Sequence, residues 1–180
     1  MSLTFSRRSF LKYTAVAAVA VAGSSLLTGC KDNPYQPTGT IGDTLSIMGD
    51  FTMKSATYAG GTLTCAMTFK CTSKRGLSVV PANFQVDVYD KDEKLLKTYR
   101  SDSTGSNVSL DNPKGDLTKD NDAWASNMIC KDMVALNEGD IVKVKYWPRA
   151  QASEGLLGYT EAYATWTMKY NAAKVAFEKV

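Results

Sequence analysis

The sequence predicts an all-β domain, an antiparallel β-sandwich of about seven to nine strands behind a signal peptide, with a closed β-barrel as the alternative. Three observations predict it. Apolar and polar residues alternate at a period of two in several separate runs, the pattern of half-buried strands. Turn signals rich in Gly, Asp and Lys separate those runs. No run in the body of the chain shows a convincing helical period.

The segment "LTCAMTFKC", residues 63–71, sets Leu63, Cys65, Met67, Phe69 and Cys71 on one face and Thr64, Ala66, Thr68 and Lys70 on the other. "NFQVDVYD" repeats the pattern with Phe84, Val86 and Val88 inward, and "KDEK", residues 91–94, turns the chain into "LLKTY" as a hairpin. "DIVKVKYW" points Val142, Val144 and Tyr146 inward against Lys143, Lys145 and Trp147. "AYATWTMK" points Ala162, Ala164, Trp166 and Met168 inward against Tyr163, Thr165, Thr167 and Lys169. "DTLSIMG" and "FTMKSATY" supply two earlier strands, with "AGG" at 59–61 as the turn that follows.

Ahead of this domain stand two address labels. Arg7 and Arg8, followed by Phe10, Leu11 and Lys12 in "SRRSFLK", resemble the twin-arginine export signal at every defined position, a signal read by a receptor and not an anchor in itself. The segment behind it, "YTAVAAVAVAGSSLLTG", is apolar without a helical face and falls short of the roughly 20 strongly apolar residues that span a bilayer. A basic front, an apolar middle and small residues before a boundary form the tripartite signal-peptide pattern. The run ends in Leu27, Thr28, Gly29 and Cys30, which resembles a lipobox. That resemblance implies cleavage after Gly29 and a diacylglycerol thioether on Cys30, whose thiolate is the nucleophile. More than one acyl chain makes a stable anchor. The expected partners are therefore the membrane, through lipid on Cys30, and the twin-arginine translocase and lipoprotein-processing enzymes during export.

The expected boundaries are 1–29 for the signal peptide, 30–40 for a lipidated N-terminus and flexible tether, and 41–180 for the β domain. "KDNPYQPTGT", residues 31–40, carries two prolines and no apolar period, as a tether does. Residues 1–29 hold Arg7, Arg8 and Lys12 and no acid, so the 21 basic residues fall to 18 against 18 acidic ones. A formally neutral domain has no electrostatic basis for nucleic-acid binding.

With Cys30 lipidated, Cys65, Cys71 and Cys130 remain. Cys65 and Cys71 lie six residues apart on one strand, about 20 Å at ~3.3 Å per residue, too far to pair with each other. In an oxidising extracytoplasmic space a disulfide from Cys130 to Cys65 or Cys71 is expected. Three buried thiols acting as small hydrophobes are the alternative.

The "IGDTLSIMGDFTMKSATY" segment, the "LTCAMTFKCTS" strand, the "FQVDVYDKDEKLLKTY" hairpin and the late "NEGDIVKVKYW" strand together resemble the immunoglobulin-like domains of unknown function in small lipoproteins of Gram-positive bacteria. The resemblance spans about residues 40–170. It implies an immunoglobulin-like sandwich at the cell surface with a binding or envelope role and offers no catalytic residues to carry over; no cofactor is expected, since the chain offers no ligand set for one.

Chemistry is constrained by what is missing. The chain has no histidine, so Ser-His-Asp, Cys-His and His-containing zinc sites are excluded. No CxxC pair, GxSxG elbow, P-loop or GxGxxG occurs. Paired carboxylates suffice for glycoside cleavage, and Glu138, Glu154 and Glu161 are candidates for it in name only. "DNPKGDLTKDND", residues 111–122, gathers Asp111, Asp116, Asp120 and Asp122 but lacks the spacing of a calcium loop; it reads as a solvated turn, as does "DKDE" at 90–93. No metal site and no enzyme activity are expected. The outward aromatics Tyr89, Trp147 and Tyr163 are the candidate ligand-binding residues, since aromatic faces stack on sugar rings or anchor proteins. The leading reading is a lipid-anchored surface domain that binds protein. A carbohydrate-binding module and a carboxylate-based hydrolase are the alternatives.

Overall fold

The computed structural model describes residues 35–72, 77–101, 106–117, 123–148 and 162–180. The export signal, the lipobox with Cys30, and Asp120, Asp122, Glu154 and Glu161 lie outside them. The described residues belong to one compact unit, Pro34–Val180. They form thirteen strands and one 3-10 turn, with no α-helix among them.

The strands are β1 (Thr38–Gly39), β2 (Thr44–Ser46), β3 (Gly49–Ala59), β4 (Thr62–Cys71), β5 (Leu77–Val79), β6 (Phe84–Tyr89), β7 (Leu95–Arg100), β8 (Val108–Leu110), β9 (Lys114–Leu117), β10 (Ala123–Cys130), β11 (Ile141–Tyr146), β12 (Ala164–Asn171) and β13 (Ala176–Lys179). One sheet runs β1-β12-β11-β6-β7, with β13 also on β12. The other runs β2-β3-β4-β10-β8, and β5 pairs β9 apart from both. Neither large sheet closes on itself, so the architecture is the expected sandwich and not the alternative barrel. The strand count exceeds about seven to nine because six of the thirteen are only two to four residues long.

One pairing departs from the expectation. β1 runs parallel to β12, with Thr38 opposite Thr165 and Gly39 opposite Trp166. The Tyr163 and Thr165 N–H groups also donate to the Tyr35 and Pro37 carbonyls at 2.9 and 3.0 Å. Residues 35–40, expected in the tether, are thus part of the folded unit. Pro37, which suggests a linker in the sequence, is compatible with the edge of the sheet, where no N–H is required of it.

Local sequence explains the long β3–β4 hairpin. Gly60 and Gly61 form its two-residue loop with φ of +55° and +74°, the left-handed pair that matches hairpin twist and favours glycine. The register shifts between Met53 and Ser55, so Lys54 is an extra residue. That bulge reverses the alternation: Phe51 and Met53 face the core before it, Ala56 and Tyr58 after it. At the opposite hairpin, Asp90 accepts the Asp92 and Lys94 N–H groups, both at 2.9 Å, and closes the β6–β7 turn.

The inward positions predicted for β4, β6, β11 and β12 are all buried, from Leu63 to Met168. Aromatic rings join the two sheets. Tyr146 lies 4.8 Å from both Phe51 and Phe84 and 5.4 Å from Phe69, centroid to centroid. Val134, in the β10–β11 connection, is held from both sides: its N–H donates to Tyr99 Oη at 2.7 Å, and its carbonyl accepts from Tyr58 at 3.1 Å.

The expected disulfide from Cys130 to Cys65 or Cys71 is not formed: no disulfide joins these three cysteines, and all are fully buried. Register explains it for the nearer pair. Cys65 stands opposite Met128, and Cys130 opposite Leu63, so the two residues are diagonal neighbours, whose Cα atoms are typically about 7–8 Å apart, at or beyond the limit for a disulfide. Burial pushes the Cys65 thiol up strongly and the Cys130 thiol up to about 12. They serve as small apolar side chains.

Truncating Tyr146 at the junction of the sheets removes its ring contacts at once. Tyr146→Ala is expected to lower unfolding free energy by about 3–5 kcal/mol, read as a fall in the urea midpoint. A loss below about 1 kcal/mol would mean that the rings do not join the sheets energetically.

Candidate functional site

Alternation fixes what the outer face of the six-stranded sheet presents. Because Val86, Val88, Val142 and Val144 point inward, Gln85, Asp87 and Tyr89 on β6 and Lys143 and Lys145 on β11 point out. The register stacks them in rows: Gln85–Lys145–Thr165–Thr38, and Asp87–Lys143–Thr167. Ile141 is opposite Tyr89 at one end. At the other, Trp147 meets Tyr163, ring centroids 5.0 Å apart and planes tilted by 36°.

These rows form a shallow trough of about 280 Å³, with Tyr89, Lys143, Lys145 and Tyr163 in its lining and Gln36, Thr38, Thr165 and Thr167 along the β1–β12 side. Tyr89 and Tyr163 stand at register positions six residues apart along β11, about 20 Å, so the trough is long in the strand direction. The lysines lean toward its ends. Lys143 Nζ lies 4.8 Å from the Tyr89 ring centre and Lys145 Nζ 5.8 Å from that of Tyr163, within cation–π range.

The floor beside the trough is a buried polar network. Asp87 is 2% exposed although it belongs to the outer face. Its carboxylate accepts from Thr98 Oγ1 at 2.7 Å and from Gln85 Nε2 at 2.7 and 2.8 Å, and pairs with Lys145 Nζ at 2.9 Å. Burial alone would push the Asp87 carboxyl up; the hydrogen bonds from Thr98, Lys145 and Gln85 outweigh it and hold the group below its ordinary value. Burial likewise opposes the Lys145 charge, and Asp87 overcomes it, so Lys145 is held above its ordinary value. Lys145 is thereby fixed in place.

Of the three aromatics singled out by sequence, the structure brings Tyr89 and Tyr163 to one trough and sets Trp147 against Tyr163 beside it. All three are half-buried. Asp87, Gln85 and Thr98 were not candidates, because a polar residue between two valines signals only an outward position. Of the remaining sequence candidates, Glu138 and Asp111 have structural partners. Glu138 Oε2 accepts the Ala172 N–H at 2.6 Å. Asp111 accepts from the Asn127 backbone and side chain at 2.7 Å each and from Ser126 at 3.0 Å. No three Cys, Asp or Glu side chains converge on a metal position among the described residues.

Comparison with known proteins bears on the N-terminus. Residues 4–24 match the family model of the TAT (twin-arginine translocation) pathway signal sequence. The chain carries a twin-arginine export signal. That signal, which includes Arg7, Arg8, Phe10, Leu11 and Lys12, supports export out of the cytoplasm and an encounter with the twin-arginine translocase on the way. No curated protein sequence gives a significant match. Among solved structures, the chain is similar to the yjhA protein of Bacillus subtilis, at 14% identity and a TM-score of 0.44, over 64% of this chain and 86% of that one. It is also similar to the proposed lipoprotein ycdA of Bacillus subtilis subsp. subtilis str. 168, at 16% identity and a TM-score of 0.43, over 69% of this chain and 37% of that one. A third is β-glucuronidase 2 of Bacteroides uniformis, at 14% identity and a TM-score of 0.34, over 71% of this chain and 12% of that one.

The Asp87 network makes a pH prediction. A carboxyl held below its ordinary value of about 3.9 contributes stability that is present above that value and lost as pH falls through the folded value. Asp87→Asn is therefore expected to cost about 2 kcal/mol at neutral pH, and the gap from the parent should narrow below about pH 4. Urea unfolding at pH 7 and pH 3 checks this; a gap unchanged between the two would contradict it.

Proposed function

We propose that the protein is a non-catalytic, lipid-anchored binding domain displayed outside the cytoplasm, and that its ligand lies along the trough between Tyr89 and Tyr163. The convergence of both tyrosines and both lysines in one trough on the outer face carries this reading. The twin-arginine signal supports the location, and Cys30 behind Leu27, Thr28 and Gly29 supplies the lipidation site. Lipid on Cys30 would hold the unit at the membrane surface. The immunoglobulin-like resemblance is compatible with such a role.

Of the ligand classes, the trough favours glycan over protein. Protein interfaces centre on an apolar core depleted in lysine, whereas Lys143, Lys145, Thr38, Thr165 and Thr167 make up most of this lining. Hydroxyl-rich walls with an aromatic ring at each end suit a sugar chain, whose hydroxyls need partners and whose ring faces stack on aromatics.

The test is retention of the full chain, in detergent micelles, on immobilised cell-envelope polysaccharide. The parent is expected to be retained, and Tyr89→Ala and Tyr163→Ala to weaken retention at least about tenfold each, a loss of ~1.4 kcal/mol. Retention indifferent to both substitutions would remove the trough from the reading. In the same cells Cys30→Ser should move the protein from the membrane to the soluble fraction; a variant that stays in the membrane would rule out the lipid anchor.

A further inference from the structure

Two ammonium groups and one carboxylate meet in the rows that line the trough. Lys145 is 2.9 Å from Asp87, so these two charges cancel. Lys143 stands directly across the strand pair from the same Asp87, yet that carboxylate is already held by Lys145, Gln85 and Thr98. On its other side β12 offers Lys143 only the Thr167 hydroxyl. Among the described residues, Lys143 has no carboxylate within ion-pair distance, and its ammonium rests over the Tyr89 ring. Among the described residues the trough therefore carries one uncompensated positive charge, a third of the way along from Tyr89 by register.

The backbone narrows the class of anion. β6 is paired on both sides, by β7 and β11, and β11 by β6 and β12, so beneath Tyr89 and both lysines there is no free strand edge to which an acidic peptide could add as a further strand; the sheet edge lies at β1, on the Thr38 side. Recognition falls to side chains at fixed spacing: two rings, one available ammonium, and the threonine hydroxyls, each able to donate and accept.

We infer that the trough takes a chain-like acidic saccharide, with a carboxylate of one sugar on Lys143 and neighbouring sugars against Tyr89, Tyr163 and the threonine wall. This rests on the binding reading above and adds the sign of the ligand's charge. Lys145, fixed by Asp87, shapes the trough and is not the counter-charge.

Calorimetric titration of the full chain in detergent micelles tests it, with uronic-acid trisaccharides of the galacturonate and glucuronate series, their methyl esters, and hexaglutamate as probes. At least one acidic trisaccharide should bind, with its ester at least about tenfold weaker and an affinity that falls as salt is raised. Lys143→Gln should weaken acid binding about tenfold and leave the ester unaffected, Lys143→Arg should restore it, and Lys131→Gln, in the exposed segment after β10, should change nothing. Circular dichroism establishes that each variant is folded. Equal affinity for acid and ester, or no effect of Lys143→Gln, overturns the inference while the tyrosine-dependent retention above stands. Binding of hexaglutamate in preference to the saccharides overturns the ligand class. If no saccharide binds and polysaccharide retention also fails, the inference and the reading beneath it fall together.

Discussion

The ring cluster of Phe51, Phe69, Phe84 and Tyr146 is the contact on which the rest of the fold depends. Two rings come from each sheet, and Tyr146 touches all three others. A sheet buries one face only by packing it on another layer. Aromatic residues do this with the largest area per side chain and with edge-on geometries that favour a defined arrangement. Tyr146 also sits at the end of β11, paired to Phe84 across β6. Once that ring is placed, the alternation of β6 and β11 is fixed, and with it the residues that face away from the core. The lysines of the outer face are thus positioned by the rings of the inner one.

Much of this was legible in the sequence because it depends on local period. The inward sets of β4, β6, β11 and β12 follow from alternation alone, and all are buried. The Gly60–Gly61 turn follows from residue chemistry. Tyr89, Trp147 and Tyr163 follow as outward positions from the same alternation. What local pattern cannot carry is pairing between distant segments. The neighbourhood of β1 carries the tether pattern because two prolines dominate it, whereas its structure comes from β12, more than a hundred residues away in the chain.

The other losses have polar causes. β10 lacks a clear apolar alternation because its inward set includes Ser126 beside Met128 and Cys130, and because Asn127 follows Ser126. Ser126 is tolerated there because its hydroxyl donates to Asp111 and accepts the Asn112 N–H at 3.1 Å, partners supplied by another segment. Asp87 is hidden for the complementary reason. A carboxylate on an outward position reads as solvated, and only Gln85, Thr98 and Lys145 together make it buried and satisfied. The cysteines failed at the level of register: two thiols on adjacent strands are bridged only when they stand opposite each other, and a two-residue offset decides the matter.

The buried Asp87 also bears on the binding role proposed for this rather flat face. An exposed lysine has several rotatable bonds and loses their freedom on binding, which makes a surface ion pair weak. Lys145 has already lost that freedom to Asp87, and Lys143 is partly held over the Tyr89 ring. Strands paired on both sides keep the rows at constant spacing. A ligand that lies along β11 therefore meets side chains whose positions are set before it arrives, and less of its contact energy goes into ordering them.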